Sequence, residues 1–212
     1  MSDSQIILAV DDSGNFLEYI PKELGHTGEG KRHLAIAVLL FNSKGQVLLQ
    51  KRKHKIFDNI WDITGATHPL HKSHPCHSER SEESVSIKIA TSPASPDPRN
   101  DGKCKICNKD NVDEALEEAT WRCLAVEYRI KEKIPLKNLG FFNYFKRYGE
   151  FCENEHCAMI VGEYNGEVNL SQDVGYEYKW MDKEVFLKDI ESDPKRYTPW
   201  AVAGITAYPL VY

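Results

Sequence analysis

Three apolar runs in the first quarter of the chain, IILAVDD, HLAIAVLLF and QVLLQKR, limit what it can fold into. Each is short and rich in Ile, Val and Leu, as strands packed on a pleated surface tend to be. They are set apart by Asp-Ser-Gly-Asn and Asn-Ser-Lys-Gly, residues that turn the chain because they tolerate left-handed backbone or hydrogen-bond their own main chain. The first part therefore reads as sheet. After IWDITGATHPL the character changes, and residues 71–111 are rich in Ser, Pro, Lys and Glu without a sustained apolar period, which predicts a flexible surface insertion. The stretch VDEALEEATWRCLAVEYRI then turns helical, with Val112, Ala115, Leu116, Ala119, Cys123 and Val126 on one stripe. Asp113 and the glutamates lie near its start, where the helix dipole favours negative charge. Beyond it come LGFFNYFKRYG, the strand-like ENEHCAMIVGEY, an Asn165-Gly166 hairpin signal, YEYKWM, a short helix from about Asp182, and YTPWAVAGITAY. Sheet, helix, sheet, helix predicts an α+β domain with a mixed sheet between helices, a single domain over 1–212.

A chain of 212 residues, 41% hydrophobic and 28% charged, is long enough for one good core and too short for two large ones. A net charge of −5 argues against nucleic acid as the main partner, yet leaves room for a basic pocket holding a phosphorylated small molecule. The start MSDSQIILAVDDSG lacks a basic n-region and a long apolar h-region, and no apolar run reaches membrane-spanning length, so a cytoplasmic protein without a membrane partner is expected. Its six cysteines are then reduced thiols, weighed as ligands or core residues before disulfides. Cys104 and Cys107, with His71, His74, Cys76 and His77, hold enough donors for a structural zinc site. One CxxC is only half such a motif, and thiols on a flexible excursion are the favoured reading.

ENEH raises a sharper question. Side chains two apart on a strand share a face, so Glu153 and Glu155 point the same way, and either both meet water or a cation sits between them. Gly65, Glu114, Arg122 and Glu127, with Leu124 and Ile130, resemble a Nudix box split by the insertion after the Gly-Ala-Thr-His-Pro loop. The departures are Cys123 and Val126 at two of the box's glutamates and Arg129 at its glycine. Nudix hydrolysis uses several helix carboxylates to hold divalent ions, and this helix keeps few of them.

A narrower resemblance covers most of the chain outside the insertion. His26 and His33 seven apart, His68-Pro69, Glu153-Asn154-Glu155 with Cys157, Tyr144 and Pro199-Trp200 together resemble the type I isopentenyl-diphosphate isomerases, whose fold is Nudix-like. That resemblance implies one divalent cation, Zn²⁺ or Mn²⁺ by its mixed N/O donors, held by His26, His33, His68, Glu153 and Glu155. It implies a Mg²⁺ bridging the substrate diphosphate and reached by Glu127. The implied reaction is a 1,3-proton shift between isopentenyl and dimethylallyl diphosphate, with Glu155 and Tyr144 handling protons and the Trp200 π-face stabilising a cation-like centre. Lys22, Arg52, Lys55 or its neighbour Lys53, and Arg122 are the implied diphosphate ligands. The family's catalytic cysteine, two residues before the histidine of His-Pro, is replaced here by Ala66. A Nudix-type diphosphate hydrolase and a non-catalytic diphosphate-binding relative are the alternatives.

Overall fold

The computed structural model describes residues 5–72 and 112–210. Its elements are β1 (Ile6–Val10), β2 (Phe16–Pro21), α1 (Lys22–His26), β3 (His33–Phe41), β4 (Gln46–Arg52), β5 (Trp61–Asp62), β6 (Gly65–Thr67), β7 (His71–Lys72), β8 (Val112–Asp113), α2 (Leu116–Tyr128), β9 (Leu136–Tyr148), β10 (Phe151–Glu163), β11 (Gly175–Asp182), α3 (Lys183–Ser192) and α4 (Pro199–Ala207). All strands except the β7–β8 pair join one mixed sheet around β3, which runs parallel to β10 and antiparallel to β1, β4 and β6.

β3 explains why its sequence is continuously apolar rather than alternating: it is covered on both faces. Ala35, Ala37 and Leu39 enter a core with Phe186 and Ile190 of α3 and with Trp200, Ala201 and Ile205 of α4. Ile36, Val38 and Leu40 enter a second core with Ala119, Leu124 and Tyr128 of α2. The expected α+β architecture, a mixed sheet between helices, is the one found.

Three local expectations change. Val112 and Asp113 are strand rather than helix, because they pair with Lys72 and His71 and bring the two ends of the insertion together. Val126 is 60% exposed, so the apolar stripe of α2 ends short of it. Asn165-Gly166 does not close a hairpin between neighbours, since β11 crosses over to pair with β4. Instead Asn165 Oδ1 accepts the Ser43 N–H at 2.7 Å. The tight turn is at Gly149, φ +60°, between β9 and β10. α2 ends at Arg129 in the left-handed region, φ +61°, where a Nudix box has glycine. A side chain held there costs about 1 kcal/mol. Residues 73–111 lie outside the described residues, and so do Cys104, Cys107, His74, Cys76 and His77 of the zinc expectation. His71 is described, and its Nδ1 lies 2.9 Å from Asp113 Oδ1. Among the described residues no helix is long and apolar enough to cross a membrane.

Candidate metal centre

Register builds the site. Glu155 of β10 is paired with His33 of β3 on one side and with Tyr144 of β9 on the other. Paired residues point to the same face, so phenol, carboxylate and imidazole form one row. α1 ends on His26 and the chain leaving β6 carries His68 into the same space. One ligand atom from each of His26, His33, His68 and Glu155 lies within 4.8 Å of all the others. His68 Nε2 is 3.2 Å and His33 Nε2 3.6 Å from Glu155 Oε1. Gly25 permits this closeness, because a Cβ there would stand 2.8 Å from His33 Nδ1.

The ring nitrogens are poised for a cation. His33 Nδ1 lies 2.8 Å from the Lys31 carbonyl, which can only accept, so the proton belongs on Nδ1 and Nε2 presents a lone pair. His26 Nδ1 likewise faces the Cys152 carbonyl at 3.3 Å and Glu153 Oε2 at 3.2 Å. Both Nε2 atoms are buried without a hydrogen-bond partner. Each such orphan costs about 1–3 kcal/mol, which a bound ion would offset. His68 is pushed well below the ordinary imidazole range by burial and by Lys22, His33 and His26. It is therefore in the neutral form that a metal requires. These residues fit a divalent cation.

Glu153 stands apart from the ligand atoms, on the far nitrogen of His26, where carboxylates orient metal-binding imidazoles. Its bond and charge, with Glu155, outweigh burial and raise His26. Tyr144 donates its hydroxyl to Glu155 Oε2 at 2.5 Å. Burial and the two carboxylates hold that phenol well above its usual range, so it stays protonated. Burial works to raise Glu155, but the hydrogen bond and charge of His33 and the Tyr144 hydroxyl win and its carboxyl lies lower than usual.

The implied phosphate ligands divide into two sets. Lys22 lies within electrostatic reach of Glu153, Glu155, Arg122 and Arg52, and burial lowers it. Arg52 lies with its guanidinium 4.8 Å over the Trp200 ring. Lys55 rests exposed over Phe151, whereas Lys53 turns away to the Gln172 carbonyl at 2.7 Å. Arg122 is already committed. Its Nε and Nη2 bind the Glu114 carboxylate at 2.9 Å each, and Nη2 also donates to the His68 carbonyl at 2.8 Å. Glu114 in turn exchanges backbone and side-chain bonds with Leu70. The pair straps the loop of His68 to α2. Glu114→Gln is expected to lower unfolding free energy by about 2 kcal/mol in denaturant titration and to loosen metal binding with it.

Glu127 lies outside the histidine cluster. It accepts from Gln50 Nε2 at 3.1 Å and sits against Gly65, where a Cβ would come within 3.1 Å of its Oε2. Burial and Asp62 raise its carboxyl to about 7. A folded-state value above the usual 4.5 favours folding while both states are protonated below about pH 4.5, and that contribution is lost as pH rises through 7. Glu127 keeps some contact with solvent, so the effect is discounted: with a chelator at pH 8, Glu127→Gln is expected to be more stable than the parent by about 1–2 kcal/mol and equal to it at pH 4. Thermal melts at the two pH values check this.

Sequence reasoning missed Asp62. Fully buried, it accepts from Trp200 Nε1 and Thr198 Oγ1, each at 2.7 Å. The available signal was an acid inside the apolar run IWDITG. Trp200 is thus fixed by its ring N–H, with Arg52 on its face and Phe57 at its edge.

No protein-family model matches the chain. Its sequence is 22% identical over 205 residues to the isopentenyl-diphosphate Delta-isomerase of Enterobacter sp. (strain 638), covering 96% of this chain and 90% of that protein. To the enzyme of the same name from Escherichia coli O1:K1 it is 22% identical over 190 residues, covering 88% of this chain and 82% of that protein. The crystal structure of DR0079 from Deinococcus radiodurans superposes with a TM-score of 0.60 at 12% identity, covering 95% of this chain and 98% of that one, and so shares the fold. The chain shares the α+β fold of that structure, and over most of its length its sequence is similar to those of isopentenyl-diphosphate isomerases.

Proposed function

We propose that this chain is a metal-dependent isopentenyl-diphosphate isomerase-like enzyme, acting on a small-molecule diphosphate. One observation carries the reading: the Glu155 carboxylate lies between the imidazoles of His33 and His68 on one oxygen and the Tyr144 hydroxyl on the other. That arrangement suits a proton carrier whose acidity is set by a bound cation. His26, His33, His68 and Glu155 would hold a Zn²⁺ or Mn²⁺ ion, with Glu153 behind His26. When bound, the ion supplies positive charge that tunes the acidity of Glu155. Glu155, relayed by Tyr144, would deliver a proton to the terminal alkene carbon, giving a tertiary cation-like centre. With Ala66 in place of a thiol, a water molecule would accept the proton lost from the adjacent methylene as the new double bond forms. Lys22, Arg52 and Lys55 would bind the diphosphate, with Glu127 reaching its Mg²⁺. Trp200, out of water, would offer ring density near the cation.

Hydrolysis of a diphosphate is the second reading, and α2 disfavours it. Glu114 is spent on Arg122, Cys123 and Val126 carry no carboxylate, and Glu127 alone remains of the box's acids. A protein that binds a diphosphate without reacting is the third. Incubation with isopentenyl diphosphate and Mg²⁺, following dimethylallyl diphosphate and free phosphate, separates them. Dimethylallyl product supports isomerisation; phosphate, or binding with no product, overturns it.

A further inference from the structure

The reading above leaves Asp62 without a task. It is wholly out of solvent. Oδ1 takes two donors, the Trp200 ring N–H and the Thr198 hydroxyl, while Oδ2 has no hydrogen-bond partner and faces Arg52 Nη1 at 3.6 Å. Burial raises the group to about 6 against the opposing charge of Arg52. Docking α4 alone does not require a charge: a neutral amide oxygen accepts from the same two donors without the desolvation cost of a buried carboxylate. The unpartnered oxygen points instead to the guanidinium. Arg52 is held at three points, by its Nε on the Ile56 carbonyl at 3.2 Å, by the Trp200 face at 4.8 Å, and by the charge of Asp62.

We infer that Asp62 is a positioning residue, fixing the Trp200 indole and the Arg52 guanidinium as one stacked unit at the diphosphate end of the site. The inference rests on the reading of Arg52 as a phosphate-binding group. It has a distinctive sign. On charge alone, removing an anion beside the site makes it bind diphosphate more tightly. If Asp62 positions Arg52, its loss weakens binding, because the amide of Asp62→Asn keeps the bonds to α4 and turns an N–H toward the guanidinium.

The test is calorimetric titration of the full-length protein with inorganic pyrophosphate and Mg²⁺. Asp62→Asn and Arg52→Gln are each expected to weaken binding about tenfold, and the double variant less than about twofold beyond Arg52→Gln. A merely structural role makes the two losses add. Unchanged or tighter binding by Asp62→Asn, or additive losses, overturns the inference. If the parent binds pyrophosphate and Asp62→Asn is indifferent, only the inference falls. If the parent does not bind pyrophosphate, the diphosphate reading falls and the inference with it. Should Asp62→Asn not fold, Thr198→Val removes one donor to Oδ1 and leaves the charge in place. It is expected to weaken pyrophosphate about two- to threefold with Arg52 present and not at all in the Arg52→Gln background, and no weakening overturns the inference.

Discussion

Glu155→Gln is expected to lower isomerisation by about 10³-fold and to empty the metal centre. The two effects share one cause. Glu155 supplies the oxygen nearest both His33 Nε2 and His68 Nε2, and its other oxygen accepts the Tyr144 hydroxyl. An amide has the same outline but carries no charge to oppose a divalent ion and no proton to give. Elemental analysis after dialysis and a turnover assay read the two losses separately. Activity loss with full metal content would show that the carboxylate acts in proton transfer alone, and full activity would remove it from the mechanism. Tyr144→Phe is the companion measurement, since it deletes only the hydroxyl.

Ala66→Cys is expected to raise isomerisation about ten- to a hundredfold, supplying the second proton carrier that the site lacks. Ala66 is paired with Ala37 on β3, which puts its side chain on the face shared with His33, Glu155 and Tyr144. It borders the core that contains Trp200 and Cys157. A thiol there would share the sheet face of the His33, Glu155 and Tyr144 row, and the added sulfur is small enough for a partly buried position. Dimethylallyl diphosphate formed per enzyme is the measure, with Ala66→Ser as the control for added volume. No gain from the cysteine would mean that β6 holds position 66 out of reach of the substrate carbons.

Much of this was legible beforehand. The continuous run of β3, the stripe of α2 from Leu116 and the turn residues depend on local periodicity, which a single sequence carries. The resemblance to the isomerases also marked His26, His33, His68 and Glu155, together with Glu153, which lies behind His26 instead. The roles of charged groups were harder to read. Arg122 reads as a phosphate ligand, and its bonds to Glu114, eight residues away, and to the His68 carbonyl show only in the fold. Val126 reads as core because a stripe says nothing of where the opposing sheet ends. Asp62 drew no notice, since its partners Thr198 and Trp200 lie 136 and 138 residues further along.

What the sequence determined by itself was most of the elements, because they follow from side-chain periodicity, while the residue types gathered for one site were legible only through a family resemblance. Only the tertiary structure decided which carboxylate is free to hold a cation, which is tied to an arginine, and which stands behind a histidine. Those outcomes depend on distances of a few ångströms between strands and helices remote in the chain, where burial removes water as a competing partner and each buried charge must find its counterpart within the fold.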